Sequence, residues 1–418
     1  MTTVRSFDER LDTYLDILLK LGLNLQPDQT LLINAGPADI EDMASVVRQL
    51  SARAYALGAR HVFVDWSDAQ LARTRLLMAP ESALSEVPMW RVHWLEELGE
   101  QGAAFLSLYA PDPHLNDGVD PARLTISQRA NMQAGAKVAE ATSALRHPWL
   151  VGSVATRAWA RAVYPDKSEA DAVAALWDYI FMATRVNEPD PLAAWRTHLD
   201  TLNQRVTYLN AANFRYLHYR APGTDLRLQL PELQEWLGGG NSVSAQGIPF
   251  VPNLPTEEVF CAPYRTGVDG IVASTLPLNY NGQLIEGITL RFENGRIVEY
   301  NATKGREALQ EIIETDDGSH YLGEVALVTI DSPVNTGTPV LNTLFDENAS
   351  CHLAIGRAYP INVRGGATMS KEERVAQGLN YSLAHVDFMV GSPELDIDGE
   401  TASGERKPIL RGGRWAAE

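Results

Sequence analysis

The sequence predicts an α/β N-terminal domain, with a mostly parallel layered sheet, followed by an α+β, β-rich C-terminal domain. Over about the first 190 residues, short apolar runs alternate with amphipathic segments of helical period, which is typical of parallel β-α-β units. Beyond Pro189 and Pro191, strand patterns of period two and dense turn signals replace this alternation. We therefore expect two domains, residues 1–190 and 191–418, each long enough for a full-sized core.

The N-terminal domain begins with a predicted amphipathic helix over residues 7–21, where leucines recur at three-to-four spacing and Gly22 is a natural stop. The elements after it alternate between buried strands and helices. In order, they are strand 30–34, helix 39–57, strand 61–65, helix 90–98, strand 103–108 and strand 148–154. Strand, helix and strand at this spacing predict that the strands pair in parallel.

The C-terminal domain is predicted to open with a helix over residues 191–209. Residues 214–219 and 225–230 alternate in the manner of antiparallel strands. Residues 287–298 predict a hairpin that turns at Asn294-Gly295, because this dipeptide adopts the positive φ angles that a tight turn needs. The second half should thus be rich in β-structure, with few helices.

Composition describes an ordinary globular protein and excludes some partners. Of 418 residues, 45% are hydrophobic and 21% are charged. The formal net charge is −18, which argues against nucleic acid or an anionic membrane as a partner, because both favour a basic surface. Acidic residues stand near the N-terminus where a signal peptide needs an apolar run, and no stretch reaches membrane-spanning length. We expect a cytoplasmic protein.

The chain contains two cysteines, Cys261 and Cys351. Two thiols in so long a chain do not make a disulfide framework, and no C-x-x-C pair indicates a zinc cluster. We expect both to be small buried side chains.

Six potential metal ligands lie in the second half. The segment 345–359, FDENASCHLAIGRAY, contains two of them together with a tyrosine, and an H-x-D pair follows it. The ligands are Glu258, Glu324, Glu347, His352, His385 and Asp387. Four carboxylates and two imidazoles are more than one divalent ion needs and about right for two. Two neighbouring ions that share a carboxylate activate water against amide or phosphate bonds, so the pattern predicts a two-metal hydrolase.

Spacing predicts how some of these side chains are placed. His385 and Asp387 are two apart, so on a strand both project from the same face. His352 and Tyr359 are seven apart, close to two helical turns, which would put them on one face of a helix. Glu347 would then stand at the N-terminus of that helix or on the loop before it, where Asp346 and its polar neighbours are good caps.

The two remaining glutamates are less constrained by spacing. Glu324 opens an apolar run, and a carboxylate on a buried strand is costly unless cations pair with it. Glu258 follows another acid, Glu257, and either one is a possible ligand. If this segment is a strand, the two point to opposite faces, and we expect Glu257 to be solvated.

The motifs resemble those of the thermophilic-type bacterial metalloaminopeptidases, the aminopeptidase T and aminopeptidase S group. The family pattern N-x-P-x-x-E-V-F-x-A-P matches the segment around Glu258, and its L-G-E segment matches residues 322–324. Its D-E-N-A-x-C-H-L-A-x-G-x-A-Y segment matches residues 346–359, and its H-x-D pair matches residues 385–387. Because several linked blocks agree in order and spacing, the resemblance is specific. It covers about residues 250 to 392.

The resemblance implies removal of the N-terminal amino acid from peptides that have a free N-terminus, through a metal-activated water. It implies two divalent ions per chain (Zn, Co, Mn or Mg) held by the six ligands, with Glu258 preferred to Glu257. Glu324 and Tyr359 would be the catalytic residues. Glu324 would bridge both ions, and Tyr359 would donate a hydrogen bond to the developing oxyanion. The resemblance also implies a homodimer.

Two alternatives remain. His352, His385 and Asp387 alone would suit a mononuclear iron oxygenase, although three glutamates would then crowd around one ion. A metal-binding protein without activity is the other, and the presence of Tyr359 argues against it, because a retired site has no need of an oxyanion donor.

Overall fold

The computed structural model describes residues 5–416, which form two compact units. Unit 1 comprises residues 5–119, 137–201 and 239–256. Unit 2 comprises residues 120–136, 202–238 and 257–416. The division at residue 190 inferred from the sequence stays a prediction.

The helices and strands are numbered in chain order. The α-helices are α1 (Phe7–Asp16), α2 (Ile40–Ala56), α3 (Ala69–Met78), α4 (Glu81–Leu84), α5 (Met89–Glu100), α6 (Pro121–Ala134), α7 (Ala136–Ser143), α8 (Arg157–Val163), α9 (Glu169–Ala183), α10 (Pro191–Ala212), α11 (Arg306–Ile313), α12 (Thr343–Ala349) and α13 (Lys371–Ala376). The first strands are β1 (Thr30–Ala38), β2 (His61–Asp68), β3 (Ala104–Leu108), β4 (Trp149–Gly152), β5 (Tyr216–Ala221), β6 (Thr224–Gln229), β7 (Leu237–Gly238), β8 (Ser242–Val243), β9 (Pro249–Phe250), β10 (Val259–Cys261) and β11 (Val268–Ala273). The others are β12 (Leu278–Tyr280), β13 (Gln283–Ile285), β14 (Thr289–Glu293), β15 (Arg296–Asn301), β16 (Leu322–Leu327), β17 (His352–Gly356), β18 (His385–Met389), β19 (Asp396–Glu400), β20 (Arg406–Arg411) and β21 (Arg414–Trp415).

Unit 1 is built on a four-stranded parallel sheet in the order β2-β1-β3-β4. Its central strand, β1, buries the apolar run Leu31–Ile33, which is why that run reads as continuous rather than alternating. Helix α2 follows β1 and buries Met43, Val46 and Leu50. The predicted parallel α/β arrangement is confirmed.

The first helix of unit 1 changes character along its length. Ser6 and Glu9 form a reciprocal capping box that starts α1. At Ile17 the α-helix gives way to a π-helix that continues to Gly22. The predicted helix over residues 7–21 is therefore present, but its second part has the wider π geometry.

Unit 2 contains two large antiparallel sheets besides the two-stranded β12–β13 sheet. The larger has eight strands in the order β15-β14-β11-β6-β5-β19-β20-β21. In its β14–β15 hairpin, Asn294 and Gly295 both have positive φ angles, as predicted from that dipeptide. The smaller sheet has the order β18-β17-β16-β10-β7, and every residue of β16 and β17 is buried. The prediction of a β-rich second part is confirmed.

The sequence-based prediction for residues 352–359 was wrong. His352 begins strand β17, and Tyr359 lies beyond the end of that strand, so the two do not share a helix. Strand β17 is central in its sheet and buried on both faces, and such a strand has no alternation by which to distinguish it from a helix. The helix here is α12, which Asn342 caps, and Glu347 lies in its last turn rather than at its start.

A search of the described helices for a membrane span found none with sufficient length and apolar character.

Candidate metal centre

The segment before β10, strands β16, β17 and β18, and helix α12 supply all six predicted ligands. Glu258 directly precedes β10, Glu324 is the third residue of β16, and His352 is the first residue of β17. His385 and Asp387 lie on β18, where they alternate with the buried side chains of Val386 and Phe388, as the H-x-D spacing predicted.

The register of the sheet explains why side chains distant in sequence come together. Ala354 pairs with Glu324 on one side and with Asp387 on the other. Residues paired across antiparallel strands project from the same face, so Glu324, Ala354 and Asp387 form one row. His352 is two residues from Ala354 and shares that face. The small alanine side chain in the middle of the row leaves space between the two carboxylates.

Distances place the histidine rings among the carboxylates. His352 Nε2 lies 3.1 Å from Glu258 Oε2 and 3.4 Å from Glu324 Oε1. His385 Nε2 lies 3.8 Å from Glu324 Oε2 and 3.4 Å from Asp387 Oδ1. Glu324 therefore presents one carboxylate oxygen to each histidine.

Three groups of side chains have potential ligand atoms within 4.8 Å of one another. They are Glu258 with Glu324 and His352, Glu324 with His385 and Asp387, and Glu347 with His352 and Asp387. All six predicted ligands occur in these groups, and Glu324 belongs to two of them. Within residues 5–416, no such group contains both histidines.

Backbone carbonyl groups fix the orientation of both imidazoles. His352 Nδ1 lies 3.0 Å from the carbonyl oxygen of Glu347 and 3.1 Å from that of Ser350. His385 Nδ1 lies 2.7 Å from the carbonyl oxygen of Arg357. A carbonyl oxygen only accepts, so Nδ1 of each ring carries the proton and donates it. Each Nε2 thus faces the carboxylates with its lone pair available in the neutral ring.

Burial and crowding shift the protonation of these groups. Burial raises the pKa of Glu324 to about 7, and burial together with the charges of Asp387 and Glu258 raises the pKa of Glu347 well above its usual range. Burial alone would lower the pKa of His352, but the carboxylates of Glu258 and Glu324 beside its ring outweigh burial and raise that pKa. The pKa of His385 is likewise raised, to about 9, because Asp387 outweighs the effect of burial. Without cations, the site therefore retains protons.

The donor set fits divalent cations. Glu258 Oε2 and Asp387 Oδ1 are buried oxygen atoms without a hydrogen bond of acceptable geometry. Buried carboxylate oxygens need a hydrogen-bond donor or a cation, since leaving them unsatisfied is costly. Both oxygen atoms are themselves shielded from solvent, so bulk water does not reach them. Mixed carboxylate and imidazole ligands suit Zn, Co and Mn, and the carboxylates also suit Mg.

Tyr359 lies beside this cluster although it is not on the predicted helix. Its ring packs edge-on against the ring of His385, with centroids 5.1 Å apart, and against Phe260, with centroids 5.9 Å apart. Burial raises the pKa of its phenol, so the hydroxyl keeps its proton and can donate it in a hydrogen bond.

Two residues that position the site were missed as such from sequence. Asp346, considered only as a helix cap, accepts the backbone N–H groups of Val340 and Asn342 and so orders the loop before α12. Asn348 is fully buried, and its Oδ1 accepts the backbone N–H of Glu257 at 2.7 Å. The run of three polar residues D-E-N on an otherwise buried helix was the available signal.

The expectation for Glu257 was wrong. Its side chain is 7% exposed, not solvated, because Glu257 precedes β10 and does not alternate across a strand with Glu258. Cys261 and Cys351 are both buried free thiols, as expected.

The cluster of buried carboxylates and imidazoles is typical of a metal-dependent enzyme, and comparison with known proteins identifies its family. Residues 7–415 match the model of the thermophilic metalloprotease family M29, and the chain belongs to that family. The resemblance inferred from the motifs is thereby confirmed, as is the prediction of a metallohydrolase that acts on peptides.

Full-length relatives agree with this assignment. The chain is 47% identical to aminopeptidase 2 of Geobacillus stearothermophilus, with 99% of each chain covered. It is 47% identical to aminopeptidase AmpS of Bacillus subtilis and 42% identical to aminopeptidase T of Thermus thermophilus, each over 98% of this chain and 99% of the relative.

Solved structures confirm the fold. Wild-type AmpT from Thermus thermophilus superposes with a TM-score of 0.90 at 41% identity, covering 99% of this chain and 100% of that one. A dioxygenase of 2,5-dihydroxypyridine from Pseudomonas putida has a TM-score of 0.50 at 11% identity, with 99% of each chain covered. The second likeness concerns the fold alone.

Proposed function

We propose that this metalloprotease is an aminopeptidase that holds two divalent ions and removes the N-terminal residue of peptides. The single observation that carries the two-ion proposal is the position of Glu324, which belongs to two ligand groups and presents one oxygen to each histidine. The names of the relatives, which are aminopeptidases over their full length, support the N-terminal specificity.

In this proposal the six side chains divide between two ion sites. Glu258 and His352 would hold one ion together with Glu324. His385 and Asp387 would hold the other ion, also with Glu324, and Glu347 completes the ligand set. Two bound divalent ions would activate a water molecule and polarise the scissile carbonyl group.

Side chains and backbone groups of the protein would support this reaction. Tyr359, next to His385, donates its hydroxyl hydrogen to the carbonyl oxygen as negative charge develops there. The carbonyl groups that accept from Nδ1 of His352 and His385 orient both rings, so that each Nε2 faces the carboxylates. Recognition of the substrate's free amine, by an ion or by a carboxylate of the site, is what the family resemblance implies, and it would favour cleavage next to a free N-terminus.

The iron oxygenase alternative receives less support. Its three ligands would be His352, His385 and Asp387, yet among the described residues the two histidines belong to different ligand groups. The dioxygenase of similar fold is too distant in sequence to favour that chemistry.

Assembly and location complete the proposal. We expect a homodimer, as the family resemblance implies, and a cytoplasmic location. The charge of −18 supports a protein without nucleic-acid or membrane partners.

The test compares a free peptide with its N-acetylated form on the metal-loaded protein. A free N-terminus should be required, a chelator should abolish hydrolysis, and an added divalent metal should restore it. Equal turnover of the two peptides would overturn the aminopeptidase assignment. A protein that hydrolyses neither, although it is loaded with metal, would leave only the metal-binding alternative.

A further inference from the structure

Arg357 has a partly buried guanidinium group without a partner among the residues that the structure describes. Among residues 5–416, its side chain makes neither a hydrogen bond nor an ion pair. The other partly buried arginines in that range each have a partner group. A desolvated cation without a counter-ion is costly, so such a residue is a candidate for binding an external anion.

The backbone of Arg357 is fixed against the candidate metal centre. Its N–H donates to the carbonyl oxygen of Ala384 at 2.7 Å, and its own carbonyl oxygen accepts from His385 Nδ1 at 2.7 Å. It lies between the end of β17 and Tyr359. Arg357 is thus bonded through its backbone to the proposed ligand His385 and lies two residues before the proposed donor Tyr359.

The charge of the loaded site makes an anion favourable there. With both histidines neutral, four carboxylates and two divalent ions cancel. The charge of Arg357 is then left over beside Tyr359. On the proposed aminopeptidase function, on which this inference rests, the substrate amine is a cation that Arg357 repels. Arg357 therefore belongs to the other side of the scissile bond, where the leaving group lies.

We propose that Arg357 binds the C-terminal carboxylate of dipeptide substrates and so favours dipeptides over longer or amidated peptides. In a dipeptide the carboxylate belongs to the residue directly after the scissile bond, within reach of a side chain next to Tyr359. A planar guanidinium group matches a carboxylate through two parallel hydrogen bonds, which an ammonium group does not reproduce.

Kinetics of the metal-loaded enzyme on leucyl-leucine and on leucyl-leucinamide test this proposal. In Arg357→Gln, the ratio of kcat/KM for the acid to that for the amide should fall by ~10-fold, the effect of one charged hydrogen-bonded contact. In Arg357→Lys this ratio should fall less, because lysine keeps the positive charge but lacks the two parallel N–H donors of the guanidinium group. Arg364→Gln is the matched control, since Arg364 is an exposed arginine seven positions further on, and its ratio should not change.

The outcomes separate this inference from the proposed function. An unchanged ratio in Arg357→Gln would overturn it, and so would an equal fall of kcat for acid and amide, which would make Arg357 an oxyanion donor. If the loaded wild type hydrolyses neither compound, the aminopeptidase proposal fails instead.

If the metal-loaded wild type hydrolyses neither compound, a binding measurement still tests the role of Arg357. The probes are the leucyl-leucine isostere with a reduced CH₂NH bond and its carboxamide, titrated calorimetrically into metal-loaded protein. Wild type should bind the acid ~10-fold more tightly than the amide, and Arg357→Gln should lose this difference. Equal affinities in wild type would overturn the proposal.

Discussion

The side chain of Asn348 joins the two segments that contain Glu347 and Glu258. Its Oδ1 accepts the backbone N–H of Glu257 at 2.7 Å, while its Nδ2 donates to the carbonyl oxygen of Leu344 within α12 at 2.8 Å. Because each bond is made next to a proposed ligand, the distance between those two ligands depends on one buried amide.

Replacement of Asn348 should therefore weaken metal binding. In Asn348→Ala we expect a loss of about 10–100-fold in metal affinity, the usual effect of removing a group that orients a ligand. Calorimetric titration with the metal measures it. Asn335→Ala, which removes an exposed asparagine with a local hydrogen bond, is the control. Unchanged affinity in Asn348→Ala would show that the amide only stabilises the fold.

Metal stoichiometry tests the shared carboxylate. Metal-loaded protein should contain two ions per chain, about 3.5–4 Å apart, as seen by elemental analysis and anomalous diffraction. Glu324→Gln should lower occupancy of both ions, because the shared ligand is lost. Glu258→Gln should affect mainly one, because Glu258 belongs to a single ligand group, with Glu324 and His352. One ion in wild type, with Glu324 turned away from it, would contradict this.

The hydroxyl of Tyr359 should act on the transition state rather than on substrate binding. Tyr359→Phe is expected to lower kcat by about 100-fold or more, ~3 kcal/mol, with KM and metal content nearly unchanged. Steady-state kinetics with metal analysis of the same sample provide both readouts. Full kcat in Tyr359→Phe would mean that the ring only packs against His385 and Phe260 and that another donor serves the oxyanion.

Metal-free protein should lose stability as pH rises. Folded Glu324 has a pKa of about 7 and folded His385 one of about 9, above the usual values of about 4.3 and 6.5 for unfolded chains. The folded state therefore holds protons that the unfolded state has released. This contribution is complete below the unfolded pKa values and is lost as pH rises through about 7 and then about 9.

Thermal unfolding between pH 5 and 9 measures this effect. The Tm of metal-free protein should fall relative to that of metal-loaded protein, in which the ions replace the protons. The same linkage requires that metal binding at pH 7 releases protons, which titration in two buffers of different ionisation enthalpy detects. Parallel Tm profiles and no proton release would contradict the proposed ligands.

The sequence predicted elements well where the pattern had a period. On β18, polar and apolar side chains alternate, and this located His385 and Asp387 on one face. On β17 the alternation disappears, because both faces are covered and all five residues are buried. The seven-residue spacing of His352 and Tyr359 was therefore also compatible with a helix. Only the pairing of this segment with β16 and β18 shows that it contains a strand.

Tertiary contacts were beyond the reach of local patterns. Nothing in the segment around Glu257 indicates that Asn348, far along the chain, will bind its backbone. The ligand set was recognisable because carboxylates and imidazoles recurred in linked motifs, whereas the unpaired state of Arg357 depends on what surrounds it in space.

The order of the smaller sheet of unit 2 has a consequence for the role of the ions. Strand β18 ends that sheet and has a strand partner, β17, on one side only. An outermost strand is the easiest part of a sheet to detach, since one row of hydrogen bonds and its packing hold it. His385 and Asp387 are on this strand, and their counterparts Glu324 and His352 are on the two strands inside it. Ions held by these residues would link the outermost strand to the two strands inside it, so metal binding would also stabilise the sheet that carries the ligands.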